Sequence, residues 1–522
     1  MPANSAGKEE DADRERQEEQ ASASGRPACF SSTVQECLFV LTATMAIGQN
    51  SFYTGSITGV TASIGRDLNM NSAEITWINA GAALSSGAFL LTFGKLADLF
   101  GRKKMFVAGM AGFTLALVVA GFATSAIYMD VFSGILGLFS AAVVPPAVGA
   151  LGVVYEKPSK RKNRAFACFS AGNPLGFVGG MIISGIADHV ANWRATFWAL
   201  AVLYAIFTLL TVWTVPNDPP DGTAPWNWES FKKCDLPGML LVVTGVSFFS
   251  SALSLAGDAP DGWRTGYVIA LLILGIVAMA GFLYWQSVAA YPLMPLYVWR
   301  DRNFSLLMLM LCLGFMGFMS ASFWLSLYLQ EIKHSSAIEV AAQLLPMVIN
   351  GILVNIVCGL VLHKVSNKLL MLIATTGYTA SFLILSFMKE ERHSYWAFIF
   401  PALILVVVGA DIEFNVANMY VMSSLPPSDQ SLAGGIFNTV TKLCNNISLG
   451  ISTAVYNAVR DQNSGNAIRP YLATFWFSAV IAGLSMFMVP FLKLGTQGGG
   501  EKGELSDEAD VEERTTAEKV SI

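Results

Sequence analysis

Fourteen stretches of about 20 consecutive apolar residues dominate this chain of 522 residues. A helix needs about 20 such residues to cross the hydrocarbon core of a bilayer. Backbone polar groups in lipid must bond within the protein, which restricts spanning elements to helices and closed barrels. Because the chain lacks the alternating pattern of barrel strands, we predict an all-α polytopic membrane protein. The stretches, numbered spans 1 to 14, lie approximately at 36–60, 75–93, 104–124, 128–154, 165–187, 195–215, 236–256, 267–286, 304–330, 340–362, 368–388, 396–422, 432–458 and 471–491.

The composition excludes several other classes of protein. Only 13% of the residues are charged and 54% are hydrophobic, whereas soluble domains carry about 25% charged residues. The net charge of −5, without a basic stripe, argues against nucleic-acid binding. Four histidines, none in an HExxH motif, and the absence of a Gly-x-Ser-x-Gly motif give no indication of an enzyme. We therefore expect no catalytic activity, no metal and no bound cofactor.

The loops predict how the chain is oriented. Loops after even-numbered spans hold 15 Lys and Arg residues, and loops after odd-numbered spans hold 8. Because these residues accumulate on the cytoplasmic side, we predict that both termini are cytoplasmic. The charged segments 1–35 and 493–522 are predicted to be disordered tails. We expect an integral protein of the plasma membrane.

The loop after span 2 carries the most specific motif. It reads Gly94-Lys-Leu-Ala-Asp98-Leu-Phe-Gly101-Arg102-Lys103-Lys104. Glycine allows close helix approach at 94 and a sharp reversal at 101. The carboxylate of Asp98 can pair with the neighbouring cations. The motif can be read as a basic turn that only sets topology, or as a gating loop whose charges exchange partners between conformations.

This string closely resembles the signature of the major facilitator superfamily, Gly-x-Leu-Ala-Asp-x-x-Gly-Arg followed by basic residues between spans 2 and 3. With fourteen spans, the chain resembles the fourteen-helix drug:proton antiporter branch in its fungal efflux-pump form. The resemblance implies that Asp98 and Arg102 stabilise an outward-open state. It also implies a major facilitator fold of two six-helix bundles plus two inserted helices. The corresponding ranges are 36–215, 236–286 and 304–492, joined by cytoplasmic loops 216–235 and 287–303.

A degenerate second copy of the motif follows span 10. Gly359 takes the place of Gly94, and His363 takes the place of Asp98. Spans 2–3 and 10–11 are equivalent only if spans 1–6 and 9–14 are two repeated bundles, with spans 7 and 8 inserted. Repeated halves of this kind are typical of secondary transporters.

Small residues recur every four positions in span 5, at Gly172, Gly176, Gly180 and Ser184. This spacing lets helices approach closely in lipid, so simple packing is one interpretation. The segment also resembles the glycine-rich antiporter motif of exporters in this superfamily. The Gly-Pro step of that motif appears here as Gly-Phe at 176–177, and Pro174 supplies the kink. The resemblance favours efflux.

Three ionisable residues within the spans are candidates for proton coupling: Asp411 and Glu413 in span 12 and Lys442 in span 13. Charges in a membrane core are costly and therefore mark functional sites by default. Burial favours the neutral form of a carboxylic acid, which lets such a group bind and release a proton. A structural Asp–Lys pair is the open alternative. Resemblance to fungal members of the branch at the Gly-x-Asp beginning at Gly409 favours Asp411 over Glu413.

Two charges typical of that branch are absent. Residues 45–53 in span 1 contain no acid, and aligning the family's Val-Pro with Val144 and Pro145 places Ser133 where span 4 normally has an arginine. Proton coupling would therefore depend on the C-terminal half. A uniporter remains an alternative.

We expect a substrate cavity between the two bundles. Neutral amides together with many aromatic residues favour an uncharged or amphipathic organic substrate, although each amide can instead bond a neighbouring helix. The candidate lining residues are Gln49, Asn50, Asn79, Asn350, Asn355, Asn415, Asn418 and Asn438.

These features predict a secondary active transporter that exports a small organic molecule, such as a drug, toxin or secondary metabolite, by alternating access. We expect it to work as a monomer in the lipid bilayer, with the proton gradient as its energy source. The alternatives are a nutrient or inorganic-solute importer or uniporter of the same fold, and a membrane sensor that does not transport.

Overall fold

The computed structural model describes residues 26–70, 72–156, 159–218, 224, 234–256, 259, 261–335, 337–362, 364–388, 394–462 and 467–494. Most of the two predicted tails and of loop 216–235 lies outside these residues. His363, in the second copy of the loop motif, also lies outside them.

The described residues form fourteen α-helices, which follow the fourteen apolar stretches in order and confirm the prediction of an all-α chain. Three-residue and five-residue 3-10 helices lie between some of them. The α-helices are α1 (Thr33–Asp67), α2 (Ser72–Phe100), α3 (Arg102–Ala120), α4 (Ala126–Val154), α5 (Lys160–Val190), α6 (Trp193–Thr214), α7 (Leu236–Leu255), α8 (Gly266–Val288), α9 (Arg302–Glu331), α10 (Ala337–Val361), α11 (Asn367–Ser386), α12 (Ile399–Ser423), α13 (Gln430–Gln462) and α14 (Arg469–Met488).

Twelve of the described helices are long and apolar enough to cross a membrane. The other two, α1 and α13, are long, but polar residues are spread along them. In α13 these include Thr439, Lys442 and Asn446. The prediction of fourteen membrane spans is therefore not confirmed by length and composition.

Polar side chains begin several helices by accepting a hydrogen bond from the first turn. Ser125 accepts from the backbone N–H of Tyr128, and Asn192 accepts from that of Ala195. Such caps satisfy backbone donors that have no partner within the helix and contribute about 1 kcal/mol each. They fix where each helix begins after a short loop.

Successive helices are antiparallel, so the molecule has two ends. We call the end that holds Thr33 and Met488 the basal end, and the end that holds Asp67 and Arg469 the distal end. At the basal end, the Tyr420 hydroxyl donates to Asp301 across 2.7 Å. At the distal end, Arg194 Nη1 lies 2.6 Å from Asp67 Oδ2.

The close packing of α1 on α5 depends on the glycines of span 5. A Cβ atom at Gly176 would lie 2.6 Å from the carbonyl oxygen of Gly48, and one at Gly48 would lie 2.7 Å from the carbonyl oxygen of Gly172. A Cβ atom at Gly180 would likewise be too close to the carbonyl oxygen of Phe52. Pro174 lies within α5 and lines the cavity described below. The structure thus places the four predicted residues of this motif at a helix–helix contact and at the cavity wall.

The helices α7 and α8 form a hairpin on the outside of the bundle. Asp235, which caps α7, accepts hydrogen bonds from Trp285 Nε1 at 2.6 Å and Gln286 Nε2 at 2.7 Å. Helix α7 packs against both α2 and α13, and Asn446 Nδ2 donates to Ser250 Oγ across 2.7 Å. We call α1–α6 the first half and α9–α14 the second half. The hairpin therefore covers the seam where α2 of the first half meets α13 of the second.

Candidate functional site

The carboxylate of Asp98, near the C-terminus of α2, connects the two halves at the basal end. It accepts hydrogen bonds from the backbone N–H groups of Ser431 at 3.1 Å and Leu432 at 2.8 Å. These groups belong to the first turn of α13, where the helix dipole favours a negative charge. Asp98 therefore caps a helix of the opposite half.

Arg102 extends this connection to the loop before α13. Its Nε donates to Asp98 Oδ1 at 2.8 Å, and its Nη2 donates to the carbonyl oxygens of Pro427 at 2.6 Å and Ser428 at 3.0 Å. The salt bridge between Arg102 and Asp98 is almost entirely shielded from solvent. The guanidinium group thus binds a carboxylate of its own half and carbonyls of the other half at once.

The remaining motif residues give the loop its shape. A Cβ atom at Gly94 would lie 2.7 Å from the carbonyl oxygen of Ser431, so α2 and α13 meet there without a side chain between them. Gly101 has a φ of 111°, which L side chains rarely adopt, and it joins α2 to α3. Lys103 Nζ donates to Asn217 Oδ1 at 2.9 Å, beyond the end of α6. The five predicted residues therefore lie together at the basal end, which Gly94, Asp98 and Arg102 close by their contacts with α13 and the loop before it.

A central cavity of about 480 Å³ lies between the halves, above this closed end. Residues of α1, α2, α4 and α5 line one side, and residues of α9, α10, α12 and α13 line the other. Its charged side chains are Asp411 and Lys442, and its aromatic side chains are Phe177, Phe315, Phe318 and Phe414. Since it is bounded by both halves, relative motion of the halves would change its access.

Three of the eight amides predicted to line the cavity do so: Asn50, Asn79 and Asn438. The structure places Gln49, Asn350, Asn355, Asn415 and Asn418 outside the cavity wall. Gln49 and Asn418 are buried between helices, and Asn350 Nδ2 donates to the carbonyl oxygen of Ile404 at 2.9 Å. These amides therefore occupy interhelical positions, as in the alternative raised by the sequence.

Asn355 and Asn415 form part of a hydrogen-bond chain between the halves. Ser170 Oγ in α5 donates to Asn415 Oδ1 in α12 at 3.0 Å, and Asn415 Nδ2 donates to Asn355 Oδ1 in α10 at 2.8 Å. Asn415 Nδ2 also donates to the carbonyl oxygen of Asp411 at 2.8 Å. The chain Ser170–Asn415–Asn355 therefore fixes α5 to the second half beside Asp411.

The three ionisable candidates differ in position. Asp411 and Lys442 lie in the cavity wall, and among the described residues no ion pair joins them. The structural Asp–Lys pair considered from the sequence is therefore not formed in this conformation. Glu413 is fully buried inside the second half, where its carboxylate and the Tyr378 ring both lie against Gly314. Only Asp411 and Lys442 are positioned to meet a molecule in the cavity.

A neutral pair occupies the position of the missing span-4 arginine. Ser133 in α4 is buried, and its Oγ lies 2.5 Å from the hydroxyl oxygen of Tyr53 in α1. The first half therefore has a tyrosine–serine hydrogen bond at the position where the antiporter branch has a cation.

The family model of the Major Facilitator Superfamily matches residues 38–449. The chain belongs to the major facilitator superfamily. It is 27% identical over 420 residues to the low affinity ammonium transporter of Saccharomyces cerevisiae, with 80% of each chain covered. It is 24% identical over 463 residues to the efflux pump terJ of Aspergillus terreus, with 88% of each chain covered.

Solved structures agree with this assignment at the level of the fold. The proton:xylose symporter XylE superposes with a TM-score of 0.61 at 12% sequence identity, covering 89% of this chain and 97% of that one. The predicted major facilitator fold is thus confirmed, and the chain is a transporter of this superfamily. Such proteins are generally carriers of small molecules rather than enzymes. The comparisons do not establish the fourteen-helix drug:proton branch.

Proposed function

We propose that this superfamily member exports a small uncharged or amphipathic organic molecule by alternating access, in exchange for protons. The observation that carries the proposal is a central cavity bounded by both halves, with Asp411 and Lys442 in its wall and its basal end closed by Asp98 and Arg102. The similarity to the efflux pump terJ supports export.

The proposed topology has fourteen spans, with both termini in the cytoplasm of a plasma-membrane monomer. Helix α1 has 35 residues and is about 50 Å long, well beyond the hydrocarbon core of about 30 Å. The polar side chains of α13 that face the cavity, such as Lys442 and Asn445, are shielded from lipid by the neighbouring helices. Basic residues near Arg102 and Arg161 support a cytoplasmic basal end.

The cavity wall suits the proposed substrate class. A volume of about 480 Å³ falls within the range of about 300–1,000 Å³ that is typical of small-molecule sites. Aromatic rings supply apolar contact area, and Asn50, Asn79 and Asn438 supply hydrogen bonds without charge. An organic molecule with few charges would therefore fit better than an inorganic ion.

We propose Asp411 as the proton-coupling acid. It lies in the cavity wall, as does Lys442, whereas Glu413 is buried in the interior of the second half. Protonation of Asp411 would remove a negative charge from the cavity wall, and release of the proton would restore it. In this way the protonation state of Asp411 and the binding of substrate become linked.

Inside-out vesicles with an imposed pH gradient test this proposal. We expect Asp411→Asn to abolish transport driven by the pH gradient, and Glu413→Gln, which removes the other acidic group of α12, to retain it. Equal protein amounts and monodisperse gel-filtration profiles would show that both variants fold. Full coupled transport in Asp411→Asn would exclude this residue as the coupling acid.

Import or uniport of a small nutrient is the second candidate function. The similarity to the low affinity ammonium transporter favours it, as does the neutral Tyr53–Ser133 pair in place of a cation. Intracellular and secreted metabolites, compared in cells with and without the gene, distinguish the candidates. Accumulation in the deletion strain indicates export, loss of uptake indicates import, and unchanged fluxes indicate a sensor.

A further inference from the structure

A second cavity, of about 750 Å³, lies at the basal end where α1, α5 and α10 meet, and the proposed transport cycle does not use it. We call it the lateral groove, and its wall includes Cys37, Leu41, Arg164, Cys168, Ile356 and Leu360. Its floor is narrow, because a Cβ atom at Gly359 would lie 3.5 Å from the Cα atom of Arg164. The groove therefore follows the seam between α5 of the first half and α10 of the second.

Most of the groove wall is apolar and faces outward. Leu41 is 44% exposed, Ile356 is 56% exposed and Leu360 is 47% exposed. Exposed apolar side chains at the outer surface of a membrane bundle face the lipid chains. Since α7 packs against α2 and α13, the hairpin lies over the other seam and leaves this groove uncovered within the described part of the chain. An acyl chain can therefore enter it directly from the bilayer.

The basal end of the groove is polar, in contrast to its apolar wall. Arg161 Nη1 lies 2.6 Å from Glu36 Oε2, and the Tyr155 hydroxyl donates to Glu36 Oε1 at 2.9 Å. Burial, followed by the negative charge of Glu36, raises the pKa of Tyr155, so its hydroxyl remains protonated as a donor. The charges of Arg161 and Glu36 compensate each other.

Arg164 supplies a further positive charge at the same position. Its side chain is exposed and lines the groove, and no described residue forms a hydrogen bond or ion pair with it. A free guanidinium group can donate two parallel hydrogen bonds to a phosphate. Basic pockets between membrane helices on the cytoplasmic side recognise anionic lipid head groups in this way.

We propose that the lateral groove binds one anionic membrane phospholipid, with its phosphate at Arg164 and an acyl chain along Leu41, Ile356 and Leu360. The lipid would contact α5 and α10 together and would therefore favour the conformation in which the basal end is closed. The lipid-binding site does not depend on the transported substrate or on the direction of transport.

Native mass spectrometry of the full chain in detergent tests the proposal, with dioleoyl phosphatidylserine and dioleoyl phosphatidylcholine as probes. We expect one tightly bound phosphatidylserine per protein and weaker binding of phosphatidylcholine. Arg164→Gln should weaken phosphatidylserine binding about ten-fold, as expected for loss of a hydrogen bond to a charged group. Arg164→Lys should retain the preference for the anionic lipid.

Lys160→Gln is the matched control, because it removes an exposed cation from the same helix without altering the groove wall. We expect it to leave lipid binding unchanged. If Arg164→Gln and Lys160→Gln bind phosphatidylserine equally, the head-group site is contradicted. If inorganic phosphate at millimolar concentration displaces the lipid, the site recognises phosphate alone, and the acyl-chain part of the proposal is wrong.

A second variant tests the apolar part independently of charge. Cys168→Trp places a bulky ring in the groove and should reduce binding of both lipids, whereas Cys168→Ser should not. Thermal unfolding in lipid-free detergent shows whether the variants fold equally well. Unchanged lipid binding in a folded Cys168→Trp protein would overturn the assignment of the groove.

Discussion

Asp98 illustrates how one carboxylate can serve two partners in different halves. It accepts a hydrogen bond from Arg102 at the start of α3. It also caps the first turn of α13 by accepting hydrogen bonds from two backbone N–H groups. Removing one partner of a buried, hydrogen-bonded charge pair costs about 3–5 kcal/mol, because the other charge remains without compensation. The basal closure therefore depends on the charge of this residue as well as its shape.

Asp98→Asn should weaken the basal closure, since an amide keeps the size of the side chain but loses its charge. We expect basal access to the cavity to rise about ten-fold or more, measured by labelling a single cysteine introduced at Asn438. Lys104→Gln, which removes a neighbouring exposed cation, is the control and should label like the parent. Equal labelling of both variants would contradict a role for Asp98 in closure.

Neighbouring residues show why the sequence predicts the cavity wall only in part. Asn50 lines the cavity and Gln49 is buried against other helices, although they are adjacent and chemically similar. One step along a helix turns a side chain by about 100°, so the rotation of each helix decides its role. That rotation is set by packing partners such as α5, which are more than a hundred residues away in the sequence.

At the scale of helices, the apolar stretches predict where each helix lies better than they predict the residues at which it begins and ends. Span 4 was predicted at 128–154 and α4 runs from Ala126 to Val154. Span 13 was predicted at 432–458, but α13 runs from Gln430 to Gln462. The residues added at the two ends of α13 are mostly polar, and its first turn bonds to Asp98. Apolar length therefore measures the lipid-facing part of a helix, not the whole helix.

The partners of Arg102 on the α12–α13 loop were missed, although the sequence holds a signal for them. This loop alone carries no Lys or Arg among the six loops that follow even-numbered spans. The structure supplies a cation from the other half instead, since Arg102 binds the carbonyl oxygens of Pro427 and Ser428. A contact over more than 300 residues of chain cannot be read from local pattern alone.

Substitutions of the span-5 glycines test the packing of α1 on α5. A Cβ atom at Gly176 would approach the Gly48 carbonyl oxygen to 2.6 Å, whereas one at Gly185 would have no atom within 4 Å. Gly176→Ala should therefore destabilise the protein by about 1–3 kcal/mol through overpacking. Gly185→Ala is the control and should be neutral or slightly stabilising. Thermal unfolding in detergent measures both, and equal midpoints would contradict the packing argument.

Asp235 should be essential for the α7–α8 hairpin. It accepts hydrogen bonds from Trp285, Gln286 and the backbone N–H groups of Gly238 and Leu293. Asp235→Ala leaves these donors without an acceptor, at a cost of about 1–3 kcal/mol for each that stays buried. We expect faster proteolysis near the hairpin, with Asp261→Ala, near its exposed turn, as the control. Equal cleavage rates would contradict this role.

At the scale of the whole molecule, polar contacts join the two halves at two levels of one interface. Asp98 and Arg102 join them at the basal end, and the chain Ser170–Asn415–Asn355 joins them beside Asp411. Alternating access requires such contacts to break and re-form, because the halves move largely as rigid bodies around the central site. Polar contacts suit this purpose since water can replace each bond when the halves separate.

Cross-linking tests which contacts must open. In a background without reactive cysteines, a short bifunctional thiol reagent joining Ser170→Cys to Asn415→Cys should stop transport. A reducible reagent should allow recovery after reduction. The matched pair Ser250→Cys and Asn446→Cys joins α7 to α13, and we expect it to retain transport, because α7 can follow the second half. Transport that survives the first cross-link would show that this contact stays closed throughout the cycle.

The hairpin has a mechanical consequence for the cycle. Helix α7 touches both α2 and α13, and its described polar bond to the bundle, between Ser250 and Asn446, is to α13. When the halves rock, α7 must slide along one of them and push aside the lipid around α8. If the proposed cycle moves the halves in this way, we expect the hairpin to slow the motion, so that turnover falls as the viscosity of the bilayer rises.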